Sequence, residues 1–353
     1  MIILYTIILL LSFYLLAIVV ESYFVDSLDT IAQKWKMNSD MAGATLMAIG
    51  SSAPELFVSL FALFKPGSES LGAGTIVGSA LFNILVIIGA SAIVKKAIVA
   101  WQPVVRDLIF YAISIILLIF SFRDGIITLN EVIIFLVLYV IYIFAVINWK
   151  KILPYKEESK EIIDDLEAGL IKEEKKKTLL AHLLLFIDKL LGFIFPPKKY
   201  YVPVFLMSIF IIMGLSWVLV ESAVAISVIL HIPAVIIGLT VLAIGTSVPD
   251  FISSIIVAKQ GRGGMAISNA IGSNIFNILV GLGLPWLIII IFSKKTITVA
   301  TENLNSSIFL LLATIIATLF LLIVRKWKMS RLSGLVLVGA YILYLVWAIL
   351  QAI

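Results

Sequence analysis

Apolar residues in this chain come in long runs instead of alternating with polar ones. Ten stretches are long and oily enough to cross a bilayer: roughly 2–24, 41–64, 71–93, 106–121, 129–149, 201–228, 233–257, 266–292, 306–324 and 333–352. One helical crossing needs about 20 apolar residues. The pattern predicts an all-α membrane protein of ten transmembrane helices, five in 1–149 and five in 201–353. Residues 150–200 break it with charge-dense runs such as KEESKEIIDDLEAG and KEEKKK, and read as a linker. Within the linker, LLAHLLLFIDKLLGFIF (179–195) is apolar but carries His182, Asp188 and Lys189. It predicts an amphipathic helix lying at the membrane surface rather than an eleventh span. The opening stretch MIILYTIILLLSFYLLAIVV lacks a basic leader and a small-residue cleavage site, so it is expected to be a retained span.

Composition agrees with that class. The chain is 62% hydrophobic and 13% charged, whereas soluble domains are about half apolar and about a quarter charged. A net charge of +5 first suggests a nucleic-acid partner, but the positions of the charges exclude it. Ten crossings put both termini on one side. With the first loop taken as cytoplasmic, Lys34, Lys36, Lys95, Lys96, Arg106, the linker's basic residues, Lys259, Arg262, Arg325, Lys326, Lys328 and Arg331 share that side. Of 26 Lys and Arg, only Lys65, Arg123, Lys294 and Lys295 fall on the other. The basic excess is therefore a topology signal, with the linker cytoplasmic and both termini extracellular. There is no cysteine, so disulfides, thiolate chemistry and sulfur metal sites are excluded.

The two groups of five are copies. GATLMAIGSSAPELFVSLF (43–61) aligns with GLTVLAIGTSVPDFISSII (238–256), and GSALFNILVIIG (78–89) with GSNIFNILVGLG (272–283); VES recurs at 20–22 and 220–222. An odd number of spans per copy turns the second upside down relative to the first. Inverted repeats mark secondary transporters, with the binding site at the midplane between the copies.

Each copy places an acid at that depth. Glu55 is the only charged residue between Met41 and Phe64, and Asp250 stands in its place in the second copy. Pro54 and Pro249 have no N–H, so the carbonyls of Gly50 and Gly245 lose their helical partners and each helix should loosen or break. Such backbone survives inside a membrane only where it lines a cavity. The next span of each copy offers Ser79 with Asn83 and Ser273 with Asn277, each pair on one helical face. Carboxylates, hydroxyls, amide oxygens and freed carbonyls are all hard donors, suited to calcium or sodium and not to zinc or copper. One divalent ion, or two or more monovalent ones, would neutralise the facing acids. Sodium and protons both remain open as the counter-ion.

GSSAPE with GTIVGSALFN, and GTSVPD with GSNIFN, resemble the alpha repeats of sodium/calcium exchangers, in the cation/calcium antiporter superfamily. The resemblance implies exchange of calcium for sodium, with a proton/calcium antiporter of the same fold as the alternative. It implies that Glu55 and Asp250 ligate calcium, that Ser51, Thr246 and the carbonyls of Ala48 and Ala243 complete calcium and sodium sites, that Ser52, Ser79, Ser247 and Ser273 serve sodium, and that Asn83 and Asn277 line the centre. Potassium-dependent relatives carry aspartate where Asn277 stands, so potassium independence is expected. Some prokaryotic relatives have glutamate at the place of Asp250. The GN-x-x-E pattern of the proton/calcium branch is absent, and the linker is too short for calcium-sensing domains. No cofactor is implied; calcium and sodium are cargo, the bilayer is the other partner, and no oligomer is required.

Blander roles exist for these residues. The acids could be braced structurally, the serines could serve close helix packing, and the asparagines could only support the acids. Glu21 and Glu221 read as interfacial charges, with opposite cation entrances as the rival reading. His182 and His231 stand alone at expected boundaries and are taken as solvated. A calcium channel would use the same ligands but needs a continuous pore, and inverted repeats suit alternating access better; an intramembrane aspartyl protease lacks its GxGD setting here.

Overall fold

In the computed structural model, placement is described for residues 1–35, 45–46, 48–153, 191–197, 199–259, 261, 263–294 and 296–350. In chain order the helices are α1 (Ile2–Leu28), α2 (Ala48–Ser51), α3 (Ala53–Ala62), α4 (Glu69–Val94), α5 (Trp101–Ser121), α6 (Leu129–Ile152), α7 (Tyr201–Leu230), α8 (Ala234–Thr246), α9 (Val248–Lys259), α10 (Gly263–Ser293), α11 (Glu302–Val324) and α12 (Arg331–Leu350). Among the described residues eight helices are long and apolar enough to cross a membrane, or nine if the bent pair α8–α9 is one span. Ten were expected. The difference lies in 41–64, where 41–44 and 47 fall outside the described residues and the remainder holds the short helices α2 and α3. Of the interfacial helix expected over 179–195, residues 179–190 lie outside the described residues.

Two small strand pairs qualify the all-α expectation. β1 (Ala97–Ile98) pairs antiparallel with β4 (Lys328–Met329), and β2 (Ile126–Ile127) with β3 (Ile297–Thr298). They arise because backbone leaving a helix end still needs partners. Val99 N–H donates to Trp327 O at 3.0 Å and Val299 N–H to Gly125 O at 2.9 Å. β1 precedes α5 and β4 follows α11, while β2 follows α5 and β3 precedes α11. The start of α5 is thus tied to the end of α11, and the reverse holds at the other end. These two helices, which hold matching places in the two halves, therefore run antiparallel.

The apolar core divides into two clusters. The larger joins α4, α5, α6, α8, α10, α11 and α12 around Trp286, which packs on Phe122 and Phe135. The other joins α1 and α7 to α3 through Leu16, Val19, Val58, Ile212 and Leu219. That cluster also takes in Leu71 of α4 and Leu242 of α8, so α1 and α7 pack directly onto the helices that carry the signature motifs. Outward faces are apolar as well, with Ile133, Val137, Val140 and Phe144 of α6 and Leu335 and Leu343 of α12 exposed. A helical bundle this oily inside and out is a multi-span membrane protein.

Arg106 corrects the charge reading. The charge pattern counts it with a loop, but α5 starts at Trp101 and buries Arg106 against Asp107, Nε donating to Oδ1 at 2.8 Å. Tyr142 donates to the same oxygen at 3.2 Å. A charge so paired costs far less to bury than one alone, and it no longer counts toward the loop on that side.

Candidate functional site

Both signature helices break just before the acid. Ser52 (φ −95°, ψ 3°) separates α2 from α3, and Ser247 (φ −83°, ψ 1°) separates α8 from α9, which meet at 41°. The prolines at 54 and 249 are the cause: each removes a donor and crowds the preceding turn. The carbonyl of Ala48 still accepts from Ser52 N–H at 3.1 Å, and that of Ala243 from Ser247 N–H at 3.3 Å. One lone pair of each carbonyl is left over.

The partner helices also depart from regular α geometry at matching residues. α4 becomes π-helical over Asn83–Ile87, and α10 over Asn277–Leu282. Such wide turns concentrate at functional sites. What draws α4 onto α8 is the missing side chain at Gly78: a Cβ there would run into the Leu239 carbonyl oxygen and the Ala243 Cβ. This close approach sets Ser79 beside Ser247.

All twelve expected residues are buried; Glu55 and Asp250 expose nothing, and Ser51 is 4% exposed. Ser79 Oγ donates to Glu55 Oε1 at 3.3 Å, and Ser247 Oγ lies 3.5 Å from the same oxygen. The two hydroxyls are 2.7 Å apart. At the other acid, Ser273 Oγ donates to Asp250 Oδ1 at 3.1 Å and lies 3.5 Å from Ser51 Oγ. Thr246 is close enough to interact with Glu55, and Ser51 with Asp250. Each acid is therefore reached by one serine of its own half and by hydroxyls of the opposite half, and the two carboxylates feel each other electrostatically.

The two asparagines differ. Asn83 Nδ2 donates to Asp250 Oδ2 at 3.2 Å and to Asn274 Oδ1 at 3.0 Å. Neither amide atom of Asn277 has a hydrogen-bond partner, and Ser52 Oγ, Glu55 Oε2 and Asn83 Oδ1 are also left unpartnered. Leaving buried polar atoms unsatisfied costs about 1–3 kcal/mol each. Unspent oxygen acceptors of this kind on the signature helices are hard donors of the type that suits calcium or sodium.

Asn274 was missed at the sequence level. Its amide donates to Ala80 O and to Tyr111 Oη, both at 3.0 Å, while its oxygen holds Asn83. The signal was present in the repeat itself: where the copies otherwise agree, GSA faces GSN, so Ala80 is the counterpart of Asn274. Alanine cannot hold Asn277 as Asn274 holds Asn83, which accounts for the asymmetry.

Comparisons with known proteins bear on this arrangement. The family described as sodium/calcium exchanger protein matches residues 5–148 and 200–350. Sodium/potassium/calcium exchanger 4 of Homo sapiens is 27% identical, over 96% of this chain and 79% of its own length. Sodium/potassium/calcium exchanger 2 of Gallus gallus is 28% identical, over 96% and 76%. Among solved structures, the sodium-calcium exchanger NCX_Mj soaked with 2.5 mM Na+ and 1 mM Sr2+ superimposes with a TM-score of 0.62 at 24% identity, covering 98% of this chain and 99% of that one. At that identity the likeness speaks for the fold. With nearly all of both halves matched, and with the matched helices carrying the paired acids, the chain belongs to the sodium/calcium exchanger protein family.

Proposed function

We propose that this antiporter exchanges calcium for sodium across the cell membrane, independently of potassium, by exposing one site to each face in turn. The observation that carries the reading is the pairing of Glu55 with Asp250, one from each half, both without exposed surface and both laced by serines of the two halves. Two uncompensated carboxylates at membrane depth are costly, by several kcal/mol. Calcium on the acids, or sodium ions shared between the acids and the hydroxyls, relieves that cost. Binding of the two ions is then mutually exclusive, and the exclusion couples their fluxes. With more than two sodium ions moved per calcium, as the family resemblance implies, exchange is electrogenic.

In this reading residues 1–149 and 201–353 are inverted five-helix repeats in lipid, 150–200 is a cytoplasmic linker, and both termini are extracellular. The antiparallel run of α5 and α11 supports inversion, and in this reading α1 and α7 are the unit that slides past a fixed core. Glu55, Asp250, Ser51, Thr246 and the Ala48 and Ala243 carbonyls hold calcium. Ser52, Ser79, Ser247 and Ser273 complete sodium sites, with Asn83 and Asn277 lining the centre. Relatives named for potassium as well as sodium and calcium point toward potassium coupling. Asn277 points the other way, since it offers a neutral amide where the resemblance implies an acid in potassium-dependent proteins.

The test is calcium uptake by purified protein in liposomes under an imposed outward sodium gradient. Uptake driven by sodium supports the reading; uptake driven by a proton gradient alone would establish the proton antiporter instead.

A further inference from the structure

A hydrogen-bonded chain of side chains runs from α5 to one of the two acids. Tyr111 Oη on α5 accepts from Asn274 Nδ2 on α10 at 3.0 Å, and the same nitrogen donates to Ala80 O at 3.0 Å. Asn274 Oδ1 in turn accepts from Asn83 Nδ2 on α4 at 3.0 Å, and that nitrogen also donates to Asp250 Oδ2 at 3.2 Å. Tyr111, Asn274, Asn83 and Asp250 alternate between the two halves, and none has exposed surface. An amide nitrogen carries two protons, so both asparagine nitrogens are fully spent. Asn83 Oδ1 is the one atom of its amide left without a hydrogen-bond partner.

A half-turn of an asparagine amide exchanges oxygen for nitrogen with almost no change of shape, so packing does not choose between the two. The hydrogen bonds do. With Asn83 turned, its oxygen would meet Asp250 Oδ2 and Asn274 Oδ1, three acceptors with no proton among them. Its nitrogen, a donor that repels cations, would take the place of the unspent oxygen.

The mirrored chain is missing. Val99-Ala100 before α5 and Val299-Ala300 before α11 align at an offset of 200, and both valines donate their N–H across a strand pair. Leu311 therefore stands at the place of Tyr111, as Ala80 stands at that of Asn274. The packing is mirrored: α11 lies on α4 as α5 lies on α10, and α3 lies on 277–282 as α9 lies on 83–87. Yet Leu311 and Ala80, both fully buried, have no polar side-chain atom to give. Asp250 is held at both oxygens, by Ser273 and Asn83. Glu55 Oε2 and both amide atoms of Asn277 have no hydrogen-bond partner. Both members of the bracing pair are polar on one side of the site, and both are apolar on the other.

We propose that Tyr111 is a positioning residue for the ion site: through Asn274 it fixes the amide of Asn83 with its oxygen available to the cation, so that the Asn83–Asp250 side is built before an ion arrives and the Asn277–Glu55 side is ordered only by the ion. A ligand set in advance spares binding the cost of ordering it. The inference rests on the antiport reading given above for the identity of the ion.

The test is equilibrium calcium binding to the purified full chain, which needs no transport, beside thermal unfolding without calcium. Tyr111→Phe keeps the ring and removes only the hydroxyl. Its Kd for calcium is expected to rise about threefold, because apparent affinity falls with the fraction of Asn83 amides correctly turned. Its melting temperature should stay within about three degrees. In Asn274→Ala, where the chain is already cut, adding Tyr111→Phe should change Kd no further; Asn274→Leu serves as that background if the alanine variant does not fold. An unchanged Kd in Tyr111→Phe overturns the proposal. A second threefold loss in the Asn274 background also overturns it, because Tyr111 would then act by packing and not through Asn274. If the unaltered chain binds no calcium, the antiport reading falls and this inference with it; if it binds calcium and Tyr111→Phe binds it equally, only this inference falls.

Discussion

Ser79 and Ser247 come from different halves of the chain, yet their hydroxyls meet at 2.7 Å and both face Glu55 Oε1. Neither serine can be assigned to one repeat's site alone. Together with one carboxylate oxygen they form a three-oxygen cluster that only the assembled pair of repeats creates.

The first prediction concerns that cluster. Ser79→Ala and Ser247→Ala should each raise the sodium concentration for half-maximal exchange by about tenfold, the equivalent of one contact to a charged partner at about 1.5 kcal/mol. Because the two hydroxyls share one place, the double variant should fall well short of the product of the singles. Sodium titrations of calcium uptake in the four proteins read this directly. Independent, multiplying effects would show that the serines serve separate ions.

The acids themselves should behave differently from the hydroxyls. Glu55→Gln and Asp250→Asn keep shape and burial but remove the charge that the cation neutralises. Uptake should drop by at least about a hundredfold, since each loses a charge-assisted contact made in a water-poor site. Thermal unfolding should hold or rise slightly, because a buried charge is relieved. Exchange retained by Glu55→Gln would remove that side chain from its role.

Asn274 hydrogen-bonds to Asn83, Ala80 and Tyr111 and to neither acid, and so should act through Asn83. Asn274→Ala removes the acceptor that holds Asn83 Nδ2 and the donor to Ala80 O and Tyr111 Oη. The expectation is calcium affinity weakened about five- to tenfold, equivalent to roughly one hydrogen bond, with sodium affinity less affected. Asn274→Asp keeps the acceptor and should recover part of the loss in calcium KM. A drop in maximal rate with no change in either affinity would show a packing role instead.

Much of this site could be read from the sequence because repetition compensates for the weakness of any single motif. An acid after proline inside an oily run already points to a functional break, and its recurrence at the same depth identifies the partner. The burial of Glu55 and Asp250 and the breaks at Ser52 and Ser247 follow from local chemistry that sequence displays. Asn274 escaped because it breaks the repeat rather than obeying it. Arg106 escaped because a run-based reading ends spans at charges, whereas the pair with Asp107 lets the helix carry both inward. The ion pair of Glu221 was likewise invisible, since Lys65 is brought to it only by tertiary packing.

Gly78 tests whether the approach of the halves matters as much as their ligands. Gly78→Val would press a branched side chain into the Leu239 carbonyl and Ala243. Overpacking of this kind costs about 1–3 kcal/mol, and here it also pushes Ser79 away from Ser247. Melting temperature should fall by a few degrees, and sodium dependence should weaken as in Ser79→Ala. A lower melting temperature with unaltered sodium titration would separate packing from ligation at this contact.

Asn277 decides the question of potassium. Its amide has no hydrogen-bond partner although it is fully buried, so the place is prepared for a ligand and carries no charge of its own. Asn277→Asp is nearly isosteric and adds a third carboxylate to the cluster. A third negative charge demands a further cation whenever calcium occupies the other two acids. Sodium-driven calcium uptake by the unaltered chain should therefore be the same in potassium and in choline media. In Asn277→Asp it should come to depend on potassium, rising severalfold as potassium replaces choline. Potassium stimulation of the unaltered protein would overturn the assignment, because the neutral amide would then have to hold an ion that, on this account, only an acid retains.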